Sequence, residues 1–294
     1  MTYQELLLIT IRGLGQGAIF AMIAMAFNIV GNSSGVLNFA SGVLVTLGGI
    51  LAYLLLPANV SFGMWLVIGA ATAAALGLIV AAQGWLTLLP LRSSVEQHSW
   101  LVTTMAVSII ISALIHILGG SLTFSVPAAM PDLIVDGTSV PAAYLVAMVA
   151  ALLCFAAVEA FYRYRLTGLA MSALAQDIDA ARSNGIRVRR IQVIAFLLSG
   201  LILGTAGFVG APVFSLSAET GMGFLLSGFT AAVVGGMGSN IGALVGGALV
   251  GMTSMLAAYL FGGLFQDAAS LGALVIVLMI RPEGIFGLAA ARRV

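Results

Sequence analysis

RYRLTGLAMSALAQDIDAARSNGIRVRR (163–190) is the one stretch of this chain that is dense in charge. It holds six of the eleven basic residues, with Asp177 and Asp179 between them, and long apolar runs flank it on both sides. A charged segment between apolar runs reads as a loop joining membrane-spanning helices, with its arginines holding it in the cytoplasm. Its sequence also predicts a short amphipathic helix from Gly168 to Ser183, with Thr167 as N-cap and Asn184–Gly185 as the stop. Leu169, Ala173, Ala180 and Ala181 supply a small apolar face, while Asp177 and Asp179 point to solvent or a partner. Topology requires only charge. A helix ended by glycine suits docking against a soluble partner.

Composition agrees with a bilayer setting. Apolar residues make up 61% of the 294 and charged residues 7%, against roughly 25% charge in soluble domains, so lipid must solvate much of the surface. The net charge of +1 points neither to nucleic acid nor to acidic ligands. Every fixed positive charge is arginine. A P-loop ATPase needs a lysine on the phosphates, so any ATP that drives this chain is bound by another subunit. The single cysteine, Cys154, lies in an apolar run and excludes an intrachain disulfide. Glu5 in the would-be positive n-region, with further spans behind it, argues against a cleaved signal peptide.

Runs of about 20 apolar residues mark spans. The candidates are 14–30, 36–56, 62–89, 100–118, 141–161, 191–211, 223–237, 241–262 and 268–280. Three are short for a crossing, leaving eight or nine transmembrane or partly re-entrant helices in an all-α polytopic protein. Arg92, segment 163–190 and the tail with Arg281, Arg292 and Arg293 should be cytoplasmic, and loops 119–140, 212–222 and 262–267 should face outward. Arg12 is the misfit. Three crossings before Arg92 place the N-terminus outside, whereas a broken or re-entrant 14–40 segment places it inside; both remain open.

Two glycine-rich breaks interrupt the helical pattern, GNSSGVLNFASG (31–42) and GGMGSNIGA (235–243). Non-helical backbone at membrane depth must be buried in protein or line a wet cavity, and transporters place broken helices along substrate paths. On that reading Asn32, Ser33, Ser34, Asn38, Ser41, Ser239 and Asn240 edge a translocation path. Ordinary turns at the membrane surface use the same residues. Small-xxx-small spacings at Gly13/Gly17, Gly200/Gly204, Gly238/Gly242/Gly246 and Gly247/Gly251 predict close helix packing, within the chain first and between subunits second.

Four motifs together resemble one family. LAQDIDAARSNGI (174–186) resembles the coupling segment of ABC-transporter permeases, in particular the LivH-type permeases of branched-chain amino acid uptake. LNFASG (37–42) is similar to the family's Asn-Phe-Ala-His-Gly element with Ser41 in place of histidine. FTAAVVGGMGS (229–239) and RPEGIFG (281–287) resemble its late glycine-rich motif and its ending. The resemblance implies one transmembrane permease domain over 1–294, with a cytoplasmic coupling segment at 163–190. It also implies two ABC ATPase subunits, a second permease of LivM-like kind, an extracytoplasmic solute-binding protein and a multi-pass place in the bacterial inner membrane. No cofactor or metal is implied. Gln176, Asp177, Ala180, Ala181 and Gly185 would dock against an ATPase, with Arg187 and Arg190 flanking. Cargo would be branched-chain amino acids or related small polar solutes; Ser41 leaves urea, amides and aromatic acids open.

Two rivals are weighed against this. An enzyme would have to work with His98 and His116 and no nearby thiol or metal set. An ion-coupled secondary transporter or channel is the stronger rival, but such carriers often bury acids or bases within their spans. Here Glu159 sits one turn from Arg163 and is expected to snorkel to the cytoplasm.

Overall fold

The computed structural model describes residues 3–57, 60–88, 99–119, 122–127, 130–135 and 138–287. Arg92, His98, Arg292 and Arg293 lie outside the described residues. Helix α1 (Tyr3–Ser34) is followed by α2 (Ser41–Leu55), α3 (Phe62–Thr87), α4 (Ser99–Gly119) and α5 (Ala142–Tyr164). Two short helices, α6 (Leu166–Gln176) and α7 (Ile178–Ser183), fill the charged segment. The chain continues through α8 (Val188–Gly210), α9 (Thr220–Gly235), α10 (Asn240–Phe261), a 3-10 turn at Gly263–Phe265 and α11 (Gln266–Ile280). Among the described residues, seven segments are long and apolar enough to cross a membrane, and α2 and α9 are shorter apolar helices. The loop between α4 and α5 carries a hairpin of β1 (Leu133–Val135) and β2 (Thr138–Val140) with Leu133 opposite Val140, and its Phe124 forms an antiparallel bridge with Leu216.

The bundle is built around α1. At 32 residues it is about 48 Å long, more than a hydrocarbon core of about 30 Å requires, and its second half is buried on all sides. Its neighbours are α5, α8, α9 and α10. Gly17 lets α1 meet α10 at backbone distance: a Cβ there would stand 2.5 Å from the Gly247 carbonyl oxygen, and Gly251 meets Gly13 in the same way. Apolar side chains gain nothing over lipid tails, so helices in a bilayer associate by such close packing. The other glycine pairs also close contacts inside the chain, Gly200 and Gly204 on α3 and Gly242 and Gly246 on α9.

These contacts settle which way α1 runs. Gly13 faces Gly251, and Asn28 faces Ser239 at the start of α10, so the two helices are antiparallel. Asn240 bonds Glu159 near the end of α5, which puts the start of α10 at the arginine-rich end. The N-terminus and Arg12 therefore stand at the end opposite the arginine-rich segment. The chain returns through Gly35–Ala40 into α2, which starts partway along the bundle. Gly42 lies against Gly221 and Leu225, and Gly49 against Gly207 and Ala211 near the outer end. The 14–40 region is thus one full crossing followed by a re-entrant turn. At the arginine end, the Arg189 guanidinium lies 5.7 Å from the Trp85 ring centroid and ties α8 to α3.

Candidate functional site

The charged segment is not one helix. It breaks at Asp177, which takes extended backbone angles and accepts the N–H groups of Asp179 and Ala180 on Oδ1, both at 2.9 Å. A short carboxylate competes for backbone donors and so favours a helix start over a helix interior. Asp177 therefore caps α7 through one oxygen while its side chain stays exposed, and Arg165, not Thr167, precedes α6. The stop at 184–185 is as the sequence predicts. Gly185 has φ +83°, its N–H donates to the Arg182 carbonyl, and the Ile186 N–H donates to that of Ala181. This is the paired C-terminal closure that a left-handed glycine allows.

Burial re-sorts the predicted face. Gly168, Met171, Leu174 and Ala181 turn into the bundle, whereas Leu169 and Ala180 are exposed. Ala181 is thus part of the packing. Gln176, Asp177, Ala180, Gly185, Arg187 and Arg190 form the exposed set. Arg182 pairs with Asp179 at 3.3 Å with both side chains well exposed, a pair of little energetic weight.

The residues of the two breaks come together at the arginine end, where their polar atoms hold backbone. Ser33 and Ser34 donate back to the Ile29 and Val30 carbonyls. Asn38 accepts the Ala40 N–H at 3.1 Å and the Gln83 amide at 2.8 Å on one oxygen, and Ser41 donates to the Asn38 carbonyl at 2.7 Å. Asn38 and Ser41 are fully buried. Asn32 reaches across to the second break and donates to the Gly238 carbonyl at 3.1 Å. Ser239 caps α10 through the Gly242 N–H, and Asn240 donates to Glu159 at 3.1 Å. Glu159 thus has a protein partner.

Sequence reading missed two side chains. Asn28 donates to the Ser239 carbonyl at 2.9 Å and accepts the Gly238 N–H at 3.0 Å, clamping the second break. Gln83 does similar work for the first. An amide inside an apolar helix was the available signal in both cases. The end motif has a role here as well. The Ile285 and Phe286 N–H groups donate to the Val234 and Gly235 carbonyls, both at 2.9 Å, satisfying the open end of α9. Gly236, at φ +104°, admits the backbone of Gly284 and Gly287. The motifs at 229–239 and 281–287 are therefore parts of one braced end, whereas 37–42 packs against Gln83 and the start of α9.

The model of the family described as branched-chain amino acid transport system / permease component matches residues 9–281. Among curated relatives, the high-affinity branched-chain amino acid transport system permease protein LivH of Escherichia coli K12 is 27% identical over 291 residues, covering 94% of each chain. The BraD permease protein of Pseudomonas aeruginosa is 29% identical, again over 94% of each. The LivM permease protein of Escherichia coli K12 matches 48% of this chain and 33% of its own length at 32% identity. Among solved structures, PsaBC from Streptococcus pneumoniae in complex with Fab superposes with a TM-score of 0.50 at 15% identity, covering 94% of this chain and 92% of that one, a likeness of fold alone. The chain belongs to the family of branched-chain amino acid transport permease components and is a multi-pass membrane permease.

Proposed function

We propose that this chain is one membrane-spanning subunit of an ATP-driven importer in the bacterial inner membrane, acting as one domain over 1–294 with 163–190 as its coupling segment. A LivM-like second permease pairs with it, two ABC ATPases dock beneath, and a solute-binding protein delivers branched-chain amino acids or closely related small polar solutes. The relatives' names support the cargo class. The observation that carries the mechanism is the exposed elbow of α6 and α7 at the arginine end, pinned by the Asp177 cap and the Gly185 stop. ATPase closure pushes Gln176, Asp177, Ala180 and Gly185, with Arg187 and Arg190 beside them. The Gln192 amide donates to the Ser33 carbonyl at 3.4 Å, so motion of α8 reaches the end of α1. Asn32, Ser34, Asn38, Ser41, Ser239 and Asn240 keep the two breaks in shape at the cytoplasmic half of the path and do not grip the solute.

The test is affinity purification of the tagged chain from its native membrane in mild detergent, with mass spectrometry of what co-purifies. An ATPase and a second permease, lost when 175–186 is scrambled without loss of insertion, support the importer. Recovery of the chain alone, with flux that survives ATP depletion in vesicles, points to a secondary carrier or channel.

A further inference from the structure

Glu219, just ahead of α9, and Gly223 and Ser227 within it follow at intervals of four and share one face. A Cβ at Gly223 would stand 3.9 Å from both carboxylate oxygens of Asp267, in the first turn of α11, so that carboxylate sits over α9 one turn along from Glu219. Gln16 and Phe20, also four apart on α1, meet this face across a cavity of about 310 Å³. Because α9 ends at the arginine-rich end, the cavity lies at the opposite one, which a cytoplasmic arginine end makes extracytoplasmic. We propose that this cavity receives a guanidinium group, an arginine side chain of the solute-binding protein. The proposal rests on the importer reading and adds a point of contact through which that partner docks.

The acids alone would not carry it. Each one stands at the start of a helix, where its charge offsets the dipole. Inside them, however, lie Gln16, 6% exposed, and Ser227, 3% exposed, both lining the cavity. No hydrogen bond occupies either side chain among the described residues, and a buried polar group left unmet is costly. Glu219 and Asp267 are exposed, and among the described residues neither carboxylate has an ion-pair or hydrogen-bond partner. Two carboxylates set against two helix starts leave about one negative charge, a match for a single cationic group. The volume is at the lower end of ligand sites, right for one side chain and too large for a bare ion. The walls choose between arginine and lysine. Phe214 packs edge-on to Phe224 at 4.9 Å and lies 6.2 Å from Phe20, and all three line the cavity. A guanidinium stacks on aromatic faces, is weakly hydrated and forks onto carboxylates, whereas an ammonium is compact and strongly hydrated.

The experiment sets the whole transporter in nanodiscs against its co-purified solute-binding protein, with docking followed by interferometry. Gln16→Leu and Ser227→Ala should each weaken docking about tenfold, the scale of one hydrogen bond to a charged group. Neither should lower the melting midpoint, because each removes an unmet polar group; a lowered midpoint with docking intact makes them packing residues and overturns the site. Glu219→Gln with Asp267→Asn should slow association, most at low salt. Each exposed arginine of the binding protein is then changed to lysine. One such change should cost about tenfold against the native permease and little against the double variant, the signature of a coupled pair. If no arginine couples, the docking contact is overturned. Nα-acetylarginine methylamide should compete with docking and the acetyl-lysine analogue should not; equal competition overturns the guanidinium assignment. Competition by the arginine probe without a coupled partner arginine gives the site to a free solute, against the proposal. Absence of any co-purifying solute-binding protein would sink the importer reading and this partner with it. The pocket chemistry would still be decided by whether the arginine probe raises the permease's melting midpoint and Gln16→Leu abolishes the rise.

Discussion

Asn28 holds Ser239 across 211 positions of chain, its amide nitrogen 2.9 Å from the Ser239 carbonyl oxygen, while its oxygen takes the Gly238 N–H. One side chain therefore satisfies both polarities of a break that has no helix partner. Asn28→Leu keeps the size and leaves a part-buried N–H and C=O without their protein partner, at about 1 kcal/mol for each group. Thermal unfolding in detergent should show a clear loss of midpoint. Asn32→Ala, which removes one more exposed bond, should lose less.

Gly185 has open space around a Cβ but a left-handed backbone. Gly185→Val should therefore strain only the stop, by about 1–2 kcal/mol, and leave the bundle folded. In vesicles holding the whole transporter, ATP hydrolysis should continue while uptake per ATP falls severalfold. Gly185→Asn, which tolerates this conformation, should retain most coupling. Unchanged uptake in the valine variant would count against the elbow as the coupling element.

Asp177→Ala removes the cap of α7 and should cost about 1 kcal/mol, felt locally. Amide exchange at Asp179 and Ala180 should speed up while the amides of α1 remain slow. Asp177→Asn should largely preserve protection. Equal exchange in all three proteins would show that the cap holds nothing.

Gly17 and Gly247 face each other without room for a side chain. Gly17→Leu must push α1 and α10 apart along a contact that runs from Gly13 to Asn32. Overpacking costs about 1–3 kcal/mol even where neighbours can yield, and backbone cannot yield here. The yield of monodisperse protein should collapse, and Gly17→Ala should be intermediate.

The antiparallel pairing of α1 and α10 puts Tyr3 and Ser183 at opposite ends of the bundle, and a cytoplasmic arginine end predicts Tyr3 outside and Ser183 inside. In a Cys154→Ser background, an impermeant thiol reagent added to intact cells should label Tyr3→Cys and spare Ser183→Cys, with the reverse in inverted vesicles. The opposite pattern would overturn the sidedness.

Most of the helical plan was legible, because apolar length is a local property. The span read at 62–89 is Phe62–Thr87, and that at 241–262 is Asn240–Phe261. The 14–30 span is shorter than α1 because Arg12 and Asn32 look like boundaries to a hydropathy count. Protein, not lipid, surrounds most of this helix, so polar groups are tolerated there. The elbow was misread where Asp177 chose capping over a helix interior, a competition that periodicity does not register. Asn28 and Gln83 were missed because their meaning lies in partners far along the chain. Of the residues offered as path walls, Ser33, Ser34, Ser41, Asn32 and Ser239 bond backbone, while Asn38 and Asn240 bond the Gln83 and Glu159 side chains, partners that spacing alone does not reveal.

The clamp of Asn28 on the second break also sets a clock. Ribosomes add about 5–20 residues per second, and 211 residues separate the amide from its carbonyl partner. The first helix therefore waits about 10–40 s in or beside the membrane with an unpaired amide before its partner exists. Its end cannot close until the final glycines of 281–287 emerge to cap α9. Closure of this end therefore follows synthesis of residues 281–287, long after the first helix has been made.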